Sequence, residues 1–161
     1  MSPEQRRKLL RHPAGWLACG FGSGLVPFAP GTAGSLAALL PWLALREVAL
    51  PYYALIIAVA FALGVWACAW VVDTLKIADP AVAVWDEFVG QWIALTPLLL
   101  WPASPWWIVG GFILFRIFDI GKPWPVSWAD RNVVGGLGVM LDDVLAGVYA
   151  ALALGLLLQF R

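Results

Sequence analysis

Charge is scarce in this sequence. Only 12% of its 161 residues are charged, and ten acids balance ten Lys/Arg. A net charge of zero gives a nucleic-acid partner no electrostatic footing. Histidine occurs once, at His12, and cysteine twice, at Cys19 and Cys68. Neither cysteine has metal-ligand spacing, so a zinc site is excluded and both read as packing residues in apolar segments. His12 lies in a basic lead, where a solvated ring is the expectation. No cleavable signal peptide is expected. The first apolar run, after Arg6, Arg7, Lys8 and Arg11, is broken by Gly and Pro and lacks a small-x-small cleavage site.

What remains is apolar. Hydrophobic residues make up 62% of the chain and the mean hydropathy is +0.84, too high for an ordinary soluble domain. Eleven tryptophans gather near segment ends, where membrane-interface aromatics belong. The expected fold is all-α: a small polytopic membrane helical bundle with short and broken helices. Residues 1–14 are expected to form a basic interfacial segment, and residues 15–161 a membrane-embedded bundle.

Taken in order, Gly15–Phe28 carries too many glycines for a standard span and reads as a broken or re-entrant segment. Pro30-Gly31-Thr32-Ala33-Gly34-Ser35 is a turn, with Thr32 or Ser35 capping a short apolar helix over Leu36–Leu45. Ala49–Val72 is long enough to span. Asp79 and Pro80 read as N-cap and N1 of a helix that carries Asp86 and Glu87 and runs to about Trp101. Pro102–Pro105 is a tight turn. Trp106–Phe118 is apolar, and Gly121-Lys122-Pro123-Trp124-Pro125 ends it. The last helix is expected over Val139–Phe160. In it Asp143, Gly147, Ala151 and Gly155 form one small-residue stripe, which puts Asp143 on a packed face.

Threading these segments from a cytoplasmic N-terminus leaves only Arg46, Glu47 and Arg161 outside. The other seventeen charges fall on the cytoplasmic side. Four regions then converge there: Thr32–Ser35, Asp79–Glu87, Arg116–Lys122 and Asp142/Asp143. The stretch from Phe115 to Asp143 alone holds seven of the twenty charges. Ionisable groups at a membrane boundary are costly and mark function.

Doubled acids in so apolar a chain suit a hard cation, Mg²⁺, Mn²⁺ or Ca²⁺. Arg116 and Asp119, three apart, share a helix face and can pair. Lys122, Arg116 and Arg131 suit either headgroups or an anionic substrate group such as phosphate. Acids, a metal, cations and a Thr/Ser turn together describe phosphoryl chemistry.

Three blocks carry a resemblance: GFGSGLVPFAPGTAGSL, VWDEFVGQWI and FRIFDIGKPWPVSWADRNVVGGLGVMLDDVLAG. In this order they resemble the signature blocks of the phosphatidylglycerophosphatase A family. The resemblance implies a Mg²⁺-dependent enzyme of the bacterial inner membrane that hydrolyses phosphatidylglycerophosphate to phosphatidylglycerol and inorganic phosphate. Carried onto this chain, it implies Asp86, Glu87, Asp142 and Asp143 as metal ligands and Asp119 as a further ligand or base. Glu87, Asp119 and Asp143 are the catalytic candidates. Arg116 and Lys122 would contact the phosphate, with Thr32 and Ser35 on its far side. Some relatives carry His in the approach to WDE where this chain has Asp79-Pro80-Ala81, so no His receives a role. Expected partners are the lipid substrate and anionic headgroups. A small cation transporter or channel using the clustered acids is the alternative, but the acids gather at one side and no inverted repeat is visible.

Overall fold

The computed structural model describes residues 1–101 and 104–160. The described residues form helices and connecting turns, with no strand among them. In chain order the helices are α1 (Pro3–Arg11), α2 (Pro13–Ala18), α3 (Pro30–Leu45), α4 (Leu50–Leu75), α5 (Trp85–Leu95), α6 (Pro97–Leu100), α7 (Trp106–Gly121), α8 (Val126–Asn132) and α9 (Gly135–Gln159). A 3₁₀ turn over Gly20–Leu25 follows α2.

The basic lead is a docked helix. Ser2 and Gln5 form a reciprocal capping box on α1, and Leu9 is fully buried. His12 is not simply solvated. Its Nδ1 accepts from the Ala14 N–H at 3.2 Å, capping α2, and its ring stacks on Trp70 at 4.1 Å. The segment after it is broken, as expected: Phe21 and Gly22 take left-handed φ values of 55° and 106° inside the turn.

Two helix starts differ from expectation. Neither Thr32 nor Ser35 caps α3. That helix begins at Pro30, with Ala29 as a left-handed N-cap and no side-chain bond, and it runs for sixteen residues. Asp79 does not cap α5 either. The chain stays non-helical to Val84, whose N–H is drawn to the Ala18 carbonyl at 2.8 Å. A tertiary hydrogen bond thus overrides the local Asp-Pro signal. Asp86 and Glu87 consequently fall in the first turn of α5. The same helix stops short of Trp101 because Pro97, which has no N–H, restarts it as α6. Pro102 and Ala103, in the expected tight turn, lie outside the described residues, as does Arg161.

α5 and α9 cross at the centre, packed backbone to backbone. A Cβ on Gly147 would lie 2.5 Å from the Gly90 carbonyl oxygen, and one on Gly90 would meet Phe115 and the Asp143 carbonyl. This is the close approach that the small-residue stripe predicts, and it leaves Asp143 only 4% exposed. Beyond it, Ala151 and Gly155 open into an apolar groove shared with Ile93, Pro97 and Leu100.

α4 and α9, at 26 and 25 residues, are long and apolar enough to cross a membrane. Their apolar side chains are not spent on the core. Leu55, Val59, Leu63 and Trp66 on α4 face outward, as do Val148, Leu152 and Leu156 on α9. Leu36, Leu40 and Leu43 on α3 and Val109, Ile113 and Ile117 on α7 extend the same outer belt. Monomeric soluble proteins rarely expose apolar surface of this extent.

Candidate active site

Three helices direct their N-terminal ends at one cavity of about 490 Å³. α3 contributes Pro30 and Gly31, α5 contributes Asp86 and Glu87, and α9 contributes Gly135 and Gly138 and, about 12 Å further along its axis, Asp143. The C-terminal end of α7 supplies Asp119 and Lys122. The four regions brought together by threading therefore meet in the structure. Positive helix ends and hydrogen bonds soften the crowding of acids here.

Glu87, Asp119 and Asp143 form the inner cluster. Each offers a carboxylate oxygen within 4.8 Å of the other two, and all three are buried. At such a separation two carboxylates repel by roughly 3 kcal/mol at an effective dielectric of 20. Arg116 answers part of this. Its Nη1 donates to Glu87 Oε2, to Asp119 Oδ2 at 2.8 Å and to Ser35 Oγ at 3.1 Å. Ser35, fully buried, also lies 2.8 Å from Glu87 Oε2 and 3.0 Å from the Gly31 carbonyl. Gly31 packs close against this acid: a Cβ there would fall 2.2 Å from Glu87 Oε1.

One guanidinium against three carboxylates leaves two negative charges. Asp143 Oδ2 is buried with no hydrogen-bond partner. A buried, unpaired carboxylate oxygen costs several kcal/mol unless a cation meets it. The donor set is all carboxylate oxygen, which fits a hard divalent ion.

The outer acids behave differently. Asp86 Oδ1 accepts from the Glu87 N–H at 2.9 Å, and Asp142 Oδ2 lies 2.8 Å from Lys122 Nζ. Lys122 also pairs with Asp130. Burial opposes the Lys122 charge, but the hydrogen bonds to Asp130 and Asp142 outweigh it and raise the ammonium pKa above its usual value. Lys122 thus stays protonated through neutral pH. Its φ of 41° ends α7 and turns its side chain back toward the acids.

The comparisons with known proteins point one way. The family model for phosphatidylglycerophosphatase A matches residues 16–158. The chain belongs to the phosphatidylglycerophosphatase A family. It is 44% identical over 146 residues to a phosphatidylglycerophosphatase A of Escherichia coli K12, covering 90% of this chain and 83% of that protein. It is 41% identical over 145 residues to the Haemophilus influenzae phosphatidylglycerophosphatase A, covering 89% and 87%. A Bacteroides thetaiotaomicron protein with the provisional name phosphatidylinositol-3-phosphatase is 46% identical over 142 residues, covering 83% and 86%. No solved structure matches the chain. Members of this family are phosphatases, and the chain is one of these hydrolases.

Set against the family's expected site, the acids Asp86, Glu87, Asp119, Asp142 and Asp143 all line the cavity, as does Lys122. Thr32, Ser35 and Arg116 do not. Ser35 and Arg116 stand behind the acids and hold Glu87 and Asp119, while Thr32 lies in the first turn of α3 and outside this network. The cavity includes Arg131, which the sequence offered for headgroups or an anionic group, and adds Val134, Gly135 and Gly138, which were not among the expected site residues. The signal for them was the glycine run after Arg131, which reads as a loop until α4 packs against it. A Cβ on Gly136 would lie 2.1 Å from the Val65 carbonyl, so the run forms the first turn of α9.

Proposed function

We propose that this protein is a Mg²⁺-dependent phosphatidylglycerophosphatase of the bacterial inner membrane, spanning it several times with its N-terminus and cavity at the cytoplasmic face. The observation that carries the reading is the inner carboxylate cluster with its unpartnered Asp143 oxygen. The outward apolar belt supports the membrane setting, and the named relatives support the substrate.

In this reading Glu87, Asp119 and Asp143 hold the metal, with Asp86 and Asp142 at its margin. Bound Mg²⁺ neutralises phosphate charge and makes the phosphorus more electrophilic. The residues do the rest. Arg116 and Ser35 fix Glu87 and Asp119 in place before substrate arrives. Lys122, held protonated with two of its N–H groups on Asp130 and Asp142, offers the third to the phosphate. Water attacks phosphorus, the P–O bond to glycerol breaks, and a proton ends on the glycerol oxygen. Carboxylates of the cluster are the proton acceptors within reach.

The test is inorganic phosphate release from phosphatidylglycerophosphate by the purified protein, with Mg²⁺ and then with EDTA. Release that needs Mg²⁺ is expected. Release that survives EDTA removes the metal from the reading and leaves the carboxylates as nucleophile candidates. Absence of release from folded protein, with cation flux in liposomes, would instead favour a transporter.

A further inference from the structure

We propose that the substrate's phosphate is cradled by Arg131 and the uncapped N-terminus of α9 at residues 134–138. This rests on the phosphatase reading above and assigns its anion subsite.

Of the three helix starts at the cavity, two are already committed. At α3, Pro30 occupies the first turn without an N–H, and Gly31 is pressed against Glu87. At α5, Asp86 takes the Glu87 N–H, and the Val84 N–H is spent on Ala18. α9 has neither a side-chain cap nor an acid in its first turn. Its leading N–H groups have no partner within the helix, and they carry the positive end of a 25-residue dipole. Gly135 has φ +70°, and a Cβ there would meet nothing within 4 Å, so space is open in front of this turn.

Arg131 stands beside that opening. It lines the cavity, is exposed, and makes no ion pair or side-chain hydrogen bond among the described residues. Lys122, by contrast, is already shared by two carboxylates. The second, independent sign of a ligand is Asp143. It is 4% exposed, lines the same cavity, and its Oδ2 has no partner. The cavity therefore offers free N–H donors on one side and a free carboxylate oxygen on the other. A phosphate monoester carried with a cation satisfies both signs. Its oxygens accept from a planar guanidinium and from main-chain N–H groups, and they ligate hard metals.

The experiment compares wild type with Arg131→Gln, Arg131→Lys and Val134→Asp. The Asp supplies α9 with a cap while placing a negative charge at the subsite, so folding is preserved or improved. Two readouts apply. One is competitive inhibition of lipid hydrolysis by inorganic phosphate. The other is binding of inorganic phosphate in Mg²⁺, read from its ³¹P linewidth. Arg131→Gln and Val134→Asp are expected to weaken phosphate binding about tenfold and raise KM similarly, with smaller changes in kcat. Arg131→Lys recovers part of the loss. Phosphate binding unchanged in both Arg131→Gln and Val134→Asp would overturn the subsite. If wild type turned over no phospholipid monoester yet bound phosphate with this mutational pattern, the subsite would stand and the lipid reading would fall.

Discussion

The two adjacent acid pairs, Asp86-Glu87 on α5 and Asp142-Asp143 on α9, look alike in sequence and divide their labour alike in the fold. Successive helical residues diverge by about 100°. One acid of each pair, Glu87 or Asp143, turns into the buried cluster with Asp119. The other turns to a local partner: Asp86 to its own helix N–H, and Asp142 to Lys122. Doubling is therefore not redundancy. Each helix carries one carboxylate inside the buried cluster, where Glu87 has Arg116 and Asp143 Oδ2 has no partner, and one outside it. The Gly90–Gly147 contact, which sets how close α5 and α9 come, fixes the spacing between the two pairs.

The comparison breaks most sharply at the inner members. Glu87→Ala or Asp143→Ala is expected to reduce kcat by about a thousandfold or more, with the helical circular dichroism intact. Near-normal turnover by either folded variant would remove that residue from the site. Direct Mn²⁺ binding, followed by its electron paramagnetic resonance, should be lost in parallel.

Spacing comes next. Gly147→Ala forces α5 and α9 apart and should cost about 1–3 kcal/mol of stability in detergent. Activity should fall more than the loss of folded protein accounts for. A variant with wild-type stability and activity would mean that α5 and α9 have room to spare at their crossing.

The outer members should matter less. Asp142→Asn or Lys122→Ala leaves the inner cluster complete and is expected to raise KM about tenfold, with kcat within a few-fold. Equal losses from inner and outer variants would erase the distinction drawn here. The raised Lys122 pKa sets the pH behaviour of this pair. The ammonium form, and its ion pairs, hold below the ordinary lysine range and are lost only as pH rises through the higher folded value. No decline traceable to Lys122 is therefore expected between about pH 6 and 9.

The smallest effect concerns the docked lead. Replacing Arg6, Arg7, Lys8 and Arg11 by Gln should lower activity on anionic vesicles roughly two- to threefold and leave activity in neutral detergent micelles unchanged. Equal loss in both media would refute a role in gathering anionic lipid.

The site's acids were readable because charge is so rare in this chain. WDE and LDD stand out against apolar neighbours, and the i, i+3 spacing of Arg116 and Asp119 announces their 2.8 Å pair. α4 and the outward face of α9 were readable from hydropathy alone. What sequence could not supply were choices made by distant contacts. Ser35 looks like a cap, but Glu87 and Arg116 claim its hydroxyl. Asp79-Pro80 looks like a helix start, but Ala18 holds the chain away from it. Helix α8 is only seven residues long and has too little periodicity to register. The start of α9 was hidden because glycine runs are poor helix formers until a neighbouring helix packs onto them.

The outward belt of Leu, Ile, Val and Trp side chains has a kinetic corollary. In the proposed membrane setting, an enzyme whose walls are wetted by lipid meets its substrate by lateral diffusion in two dimensions. Turnover then follows the mole fraction of substrate among its neighbours, not the amount of lipid per litre. Diluting phosphatidylglycerophosphate with inert phospholipid should slow the reaction, even when the total substrate in the tube is held constant.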